Sequence, residues 1–152
     1  MNDIQNTQNK IDFTAELEET INIVIEKVFE YEDVEPRNVS VLITDNEEIH
    51  GLNLEYRGKD APTDVLSFPS GEYEPGDKPE LKKNERVFLG DMAICVDIAY
   101  KQSYPGHTPR MEIELLTAHS VLHLLGLDHR NKKEEKDMFS KQEEILKLRK
   151  ND

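Results

Sequence analysis

Hydrophobic residues recur at helical spacing in several stretches of the chain. Over residues 14–31 and 132–150 they lie three and four positions apart, which predicts two amphipathic helices, the second with only a thin apolar face. Asp45 is a suitable N-cap for a helix over residues 47–56. A further short helix is expected over residues 97–103, because Pro105 and Gly106 follow it.

One more helix is expected to lie at the centre of the protein. Thr108 and Pro109 have the residue types preferred at the N-cap and at the first helical position. Apolar residues then cover nearly every side of the helix to about residue 125, and a helix that is apolar all round is buried. Gly126 follows where the helix would end, and glycine tolerates the left-handed conformation that turns the chain sharply.

Three segments rich in β-branched and aliphatic residues predict strands over residues 39–44, 65–68 and 87–96. The last two are expected to pair as an antiparallel hairpin around an exposed loop over residues 70–86. Residues 1–12 are polar and are expected to be frayed. A chain of 152 residues suits one domain, so residues 1–152 are interpreted as a single domain.

Composition narrows the classes of function. The formal net charge of -13, from 32 acidic and 19 basic residues, argues against broad, charge-driven nucleic-acid binding, although it permits a small basic cleft. No apolar stretch approaches membrane-spanning length, and the first residues do not have the pattern of a secretory signal. The single cysteine, Cys95, fits a reducing cytoplasmic setting and is expected to be a buried strand residue rather than a fourth metal ligand.

The central helix carries the most informative pattern, His119, His123 and His129. Residues four apart on a helix share a face, so His119 and His123 can bind one metal ion. A turn at Gly126 would return His129 to the same ion. Three imidazoles leave one tetrahedral position open for water, which is the arrangement of a catalytic zinc site, whereas isolated buried histidines are the alternative interpretation.

The histidines and the glycine match the zinc-protease signature H-E-x-x-H-x-x-G-x-x-H, but the glutamate is missing. Ser120 stands at that position. In the proteases the glutamate is the general base that activates water, and a serine cannot do so near neutral pH. The metal-binding half of the motif is therefore present and the peptidase half is absent.

A second specific segment covers residues 53–69 and contains Arg57 and Lys59. Near a metal site these residues would suit phosphate, arginine through its planar fork and lysine as a point charge. Taken alone, a solvated loop is the simpler interpretation.

Together these segments resemble the bacterial YbeY family of endoribonucleases. The family pattern N-x-x-Y-R-x-K-D-x-P-T-D-V-L-S-F-P is present over residues 53–69, L-G-D-I-x-I is matched by Leu89-Gly90-Asp91-Met92-Ala93-Ile94, and H-G-x-L-H-L-x-G-Y-D-H is matched over residues 119–129. The departures are methionine at 92, serine at 120 and leucine at 127, where isoleucine, glycine and tyrosine are usual. None of them removes an expected metal ligand.

The resemblance implies an α+β fold, with a small mixed sheet of about four strands flanked by helices and a zincin-like metal site on the central helix. It implies a single-strand-specific endoribonuclease that acts on ribosomal RNA in small-subunit maturation and ribosome quality control. One divalent ion, expected to be zinc, would be held by His119, His123 and His129. Arg57 would be important for activity, and Arg57 and Lys59 would contact the substrate.

Other interpretations remain open at this point. A zinc metalloprotease-like hydrolase would need another base, and a ribosome-assembly factor could hold a purely structural metal. Asp128 is either a base or a residue that orients a ligand histidine. The nucleophile is either water or the RNA 2′-hydroxyl. The net charge of -13 favours a basic ribosomal protein as a partner that delivers the RNA.

Overall fold

The computed structural model describes residues 2–70, 87–127 and 131–150, and side chains as far as residue 147. Within these residues the helices are α1 (Ala15–Glu32), α2 (Asn46–Arg57), α3 (Val96–Lys101), α4 (Pro109–Leu124) and α5 (Lys132–Lys150). The strands are β1 (Asp3–Asn6), β2 (Asn38–Thr44), β3 (Val65–Pro69) and β4 (Phe88–Cys95). All five predicted helices and all three predicted strands are therefore confirmed, with small shifts at their ends. Most of the expected exposed loop, residues 71–86, lies outside the described part.

The four strands form one mixed sheet in the order β1-β2-β4-β3. β1 and β4 each run parallel to β2, and β3 runs antiparallel to β4, as predicted for the hairpin. The sequence-based expectation of about four strands in a mixed sheet is confirmed. Among the described strands β3 lies at one edge of the sheet, next to helix α4.

The expectation that residues 1–12 are frayed is wrong for the described residues, which begin at residue 2. Asp3–Asn6 pair with residues 40–43 of β2, and the Thr7 N–H continues the ladder to the Ile43 carbonyl at 3.0 Å. The Lys10 ammonium then contacts the Asp97 carboxylate at 2.8 Å. The segment is ordered because the free edge of β2 offers backbone partners, which a polar sequence can use as well as an apolar one.

Local sequence explains where the longer helices begin. The side chains of Thr14, Asp45 and Thr108 accept hydrogen bonds from backbone N–H groups three residues further on, which confirms the predicted N-caps Asp45 and Thr108 and adds Thr14. α2 ends at Gly58, which has a φ of 68° and thus the left-handed conformation typical of a helix C-terminus.

The core lies between one face of the sheet and helices α1, α4 and α5. Alternate residues of β2, Val39, Val41 and Ile43, are buried in this core, as the two-residue period of a strand requires. A smaller cluster on the other face joins Leu66, Ala93 and Cys95 to Ile49 of α2. α4 packs against α1, α5, α3, β3 and β4, so the predicted central position of this helix is confirmed. No described helix has the length and apolar character needed to cross a membrane.

Candidate active site

His119 and His123 lie on one face of α4 with their rings together. Their Nε2 atoms are 3.1 Å apart, and the ring centroids are 4.6 Å apart at an angle of 77°. The four-residue spacing on a straight helix produces this arrangement, as the sequence predicted. Both side chains are only partly buried, and they line a cleft between α4 and β3.

The turn that follows α4 also has the predicted form. Gly126 has a φ of 100°, and its N–H bonds to the His123 carbonyl at 2.9 Å. The Leu127 N–H reaches back to the Leu122 carbonyl at 3.0 Å, so the chain reverses immediately after the helix. The next residues, Asp128 and His129, lie outside the described part of the chain, and the site assignments made for them stay predictions.

Arg57 faces the same cleft from another element. It is the last residue of α2, and its side chain is exposed. Its Nη2 donates a long hydrogen bond of 3.4 Å to the Ser67 carbonyl. Within the described residues this weak contact leaves the guanidinium able to bind an anion in the cleft.

The cleft has a volume of about 530 Å³. Its polar lining brings together residues from α2, the following loop, β3 and α4. These residues are Arg57, Thr63, Asp64, Ser67, His119 and His123. Lys59 is exposed and is not among the described residues that line this cleft. The structure thus brings Arg57 to the histidine pair, whereas the predicted role of Lys59 in substrate binding is untested.

The loop after α2 is held in place by buried polar contacts. Asn53 is almost fully buried and donates from Nδ2 to the Ala61 carbonyl at 2.8 Å. At the end of the loop, the Cys95 N–H donates to the Asp64 carbonyl at 2.9 Å, and the Asp64 carboxylate accepts the Val65 N–H at 2.8 Å. The predicted phosphate-binding segment is therefore an ordered loop that connects Arg57 to β3.

Cys95 is not placed to be a ligand of the histidine site. The thiol is buried at the end of β4 and contacts the Asn46 side-chain oxygen at 3.2 Å. Burial raises the pKa of the Cys95 thiol, which disfavours the thiolate that a metal requires. The interpretation of Cys95 as a buried strand cysteine is confirmed.

Sequence reasoning missed two residues that contact the histidine helix at the site. The Ser67 hydroxyl of β3 lies 2.6 Å from the Ser120 hydroxyl, and Ser120 is fully buried. The Gln142 side chain of α5 lies 2.7 Å from His119 Nδ1. Neither contact has a local signal, because the paired residues are 53 and 23 positions apart in the chain.

The donor set that the described residues offer fits a divalent ion in part. Two nitrogen ligands at ~2.0–2.1 Å from a tetrahedral zinc ion are ~3.3 Å apart, close to the 3.1 Å between the histidine Nε2 atoms. The described residues contain no group of three or more potential ligands, and the third expected ligand, His129, is outside them. Two converging imidazoles beside an accessible cleft are thus the part of a metal centre that the structure describes.

Comparison with known proteins gives a consistent result. The sequence profile of the family described as "Endoribonuclease YbeY" matches residues 3–150. The protein called endoribonuclease YbeY in Thermoanaerobacter sp. (strain X514) is 45% identical over 149 residues, which cover 94% of this chain and 93% of the relative. The protein of the same name in Acetivibrio thermocellus is 42% identical over 151 residues, covering 95% and 93%.

A solved structure agrees in fold. The solution structure of TM1509 from Thermotoga maritima superimposes with a TM-score of 0.63 at 26% identity, and the match covers 98% of this chain and 89% of that chain. The four-stranded mixed sheet, the histidine helix and the near-complete match to the profile lead to one conclusion. This chain belongs to the YbeY family of endoribonucleases, hydrolases that cleave phosphodiester bonds in RNA.

Proposed function

We propose that this protein cleaves single-stranded ribosomal RNA with the help of a divalent ion held by His119, His123 and His129. Zinc is the expected ion. The observation that supports this proposal best is the meeting of the histidine pair and Arg57 in one cleft. A metal site alone would suit many hydrolases. A phosphodiester carries a permanent negative charge, and the guanidinium in the same cleft can neutralise that charge.

Each described residue then has a chemical task. His119 and His123, which line the cleft, would hold the ion, and the ion would supply Lewis acidity toward a phosphoryl oxygen. Arg57 neutralises the charge that grows on the non-bridging phosphate oxygens in the transition state. Lys59, which is exposed nearby in sequence, attracts the flanking backbone, and Asp128 orients a ligand histidine or takes up a proton.

The alternative of a metalloprotease is disfavoured by the position of Ser120. In a zinc protease this position carries the carboxylate base, which must reach the water at the metal. Here the side chain is fully buried against β3 and bonded to Ser67, so it faces away from solvent. The alternative of a purely structural metal is disfavoured by the cleft itself, which leaves the histidine pair accessible.

The cellular role follows from the family rather than from the geometry. As a single domain in the cytoplasm, the protein would act in small-subunit ribosomal RNA maturation and in ribosome quality control. The net charge of -13 disfavours high-affinity binding of RNA by this protein alone. A basic protein of the small subunit is therefore the proposed partner that brings the RNA to the cleft.

The proposal is tested by offering RNA and protein substrates to the same nuclease-free and protease-free preparation. Single-stranded RNA should be cut and duplex RNA spared, because unstacked nucleotides can enter a cleft of this size. Chelator should abolish cleavage, and zinc or manganese should restore it. Casein should remain intact. Metal-dependent proteolysis with intact RNA would contradict the proposal, and a 2′,3′-cyclic phosphate product would identify the 2′-hydroxyl as the nucleophile.

A further inference from the structure

We propose that Gln142 is a positioning residue for His119, and that its amide reverses direction when the metal binds. This inference rests on the proposed metal centre and adds helix α5 to it. The Gln142 amide nitrogen lies 2.7 Å from His119 Nδ1, and only 5% of the residue is exposed. A buried contact of this length restricts the rotation of the imidazole ring and keeps Nε2 directed toward His123.

The proposed reversal begins from one direction of the Gln142 amide, in which its nitrogen faces His119 Nδ1. With the Gln142 amide N–H donating to Nδ1, the single proton of a neutral His119 must sit on Nε2. That Nε2–H then points to His123 Nε2, 3.1 Å away. In this metal-free state the His119 nitrogen that should bind metal would carry a proton and would share it with His123 Nε2.

Metal binding requires the opposite tautomer. The His119 Nε2 lone pair must be free, so the ring proton moves by exchange with water from Nε2 to Nδ1, and the ring stays neutral. Nδ1–H then needs an acceptor. A half-turn of the Gln142 amide replaces its nitrogen by its oxygen, and the same side chain serves the second state without moving its backbone.

The environment explains why an amide suits this position. His119 and Gln142 also line a second cavity of about 230 Å³ between α4 and α5, together with Glu135, Met138 and Phe139. A carboxylate at position 142 could accept Nδ1–H, but it could not donate to the metal-free tautomer. It would also place a buried negative charge near Glu135, which burial penalises. An amide can bond favourably in both states.

The position of Gln142 is set by the packing of α5. Met138 and Ile145 of this helix are buried in the core. Two polar contacts join α5 to α1, from Lys141 to Glu32 at 2.9 Å and from the Tyr31 hydroxyl to Glu144 at 2.7 Å. The terminal helix is therefore anchored on both sides of Gln142, so that its amide is held against His119 rather than reaching it by chance.

The test uses the full chain with Gln142→Leu, Gln142→Glu and a control, Phe139→Leu, which alters the same cavity without a polar contact to His119. Zinc affinity is measured by competition with a chromophoric chelator. Gln142→Leu should weaken zinc binding by about 10- to 100-fold, the usual cost of losing a partner of a ligand histidine. Gln142→Glu should keep or raise the affinity, and Phe139→Leu should behave as the wild type.

A spectroscopic measurement tests the reversal itself. Imidazole ¹⁵N spectra should show the His119 proton on Nε2 without metal and on Nδ1 with zinc bound. Wild-type zinc affinity in a folded Gln142→Leu variant, or a proton on Nδ1 in both states, would overturn this inference and leave the proposed nuclease unaffected. A wild-type chain that binds no zinc would instead overturn the metal centre on which it rests.

Discussion

The hydroxyl groups of Ser67 and Ser120 lie 2.6 Å apart and join the edge strand β3 to the helix that carries both histidines. Ser120 is fully buried, whereas Ser67 also lines the cleft and offers its carbonyl to Arg57. One hydrogen bond thus connects the strand that Arg57 contacts with the helix that presents the proposed ligands. Ser120 provides half of this connection.

A double-mutant cycle measures that connection. Ser120→Ala leaves the Ser67 hydroxyl without this partner and should lower the free energy of unfolding by about 1 kcal/mol. Removing both hydroxyls should cost less than the sum of the two single changes, because the second deletion removes a group that the first left unpaired. Urea denaturation of the four proteins gives the coupling. Strict additivity would show that the contact contributes nothing to stability.

Histidine substitutions test the proposed metal ligands. Alanine at 119, 123 or 129 should each abolish stoichiometric metal, because two remaining imidazoles compete poorly with water. His50→Ala is the control, since His50 bonds to Asp60 on the surface and does not line the cleft. Metal content is measured by elemental analysis after dialysis. Full metal occupancy in all three ligand variants would remove the site assignment.

Arg57→Ala should separate chemistry from folding. The side chain is exposed and makes one weak contact with the described part of the chain, so thermal stability and metal content should stay near the wild type. RNA cleavage should fall by about 10²-fold, the scale of losing one electrostatic contact to a transition state. Arg57→Lys should recover little activity because lysine lacks the planar fork.

Lys101→Ala provides the charge-matched control for Arg57→Ala, since Lys101 is exposed in the last turn of α3 and is not part of the cleft lining. It should cleave RNA at the wild-type rate. If both variants lose activity equally, the effect is one of overall charge and the guanidinium has no specific role.

Gly90 is a glycine whose replacement should disturb the sheet next to the site. A Cβ atom there would lie 2.5 Å from the Phe68 carbonyl oxygen and 2.9 Å from Leu124 Cδ2, and the φ is 155°. Gly90→Ala should therefore cost about 3 kcal/mol and push β3 away from β4. The control is Gly51→Ala within α2, where nothing lies within 4 Å and alanine should stabilise by about 0.5–1 kcal/mol. Thermal unfolding of both variants tests the contrast.

Asp97 gives a prediction for pH. Partial burial acts to raise the pKa of its carboxyl group, but hydrogen bonds from Lys10 and from the Asn46 N–H outweigh burial and lower that pKa below its usual value. A carboxyl group whose pKa is lowered by folding stabilises the folded state at pH values above its unfolded pKa of ~3.9. This contribution is lost as the pH falls through the pKa of the folded state. Wild-type stability should thus approach that of Asp97→Asn as the medium becomes acidic. A difference that stays constant down to pH ~2 would contradict the shift.

The sequence alone determined the features that depend on neighbours a few residues away. Asp45 and Thr108 cap their helices through backbone groups three positions further on, so residue type and position suffice to predict them. The histidine pair follows from the period of a helix, and the turn at Gly126 from the freedom of glycine at positive φ. These local rules gave five helices, three strands and two of the proposed ligands.

Only the tertiary structure decided which distant groups meet. β1 has no strand signal in its polar sequence, and it forms because the edge of β2 supplies hydrogen bonds from residues about 37 positions away. Gln142 reaches His119 across the α4–α5 interface, and Ser67 meets Ser120 across the boundary between sheet and helix. Such contacts depend on how whole elements pack together, and packing is set by the sum of many buried surfaces rather than by any local pattern.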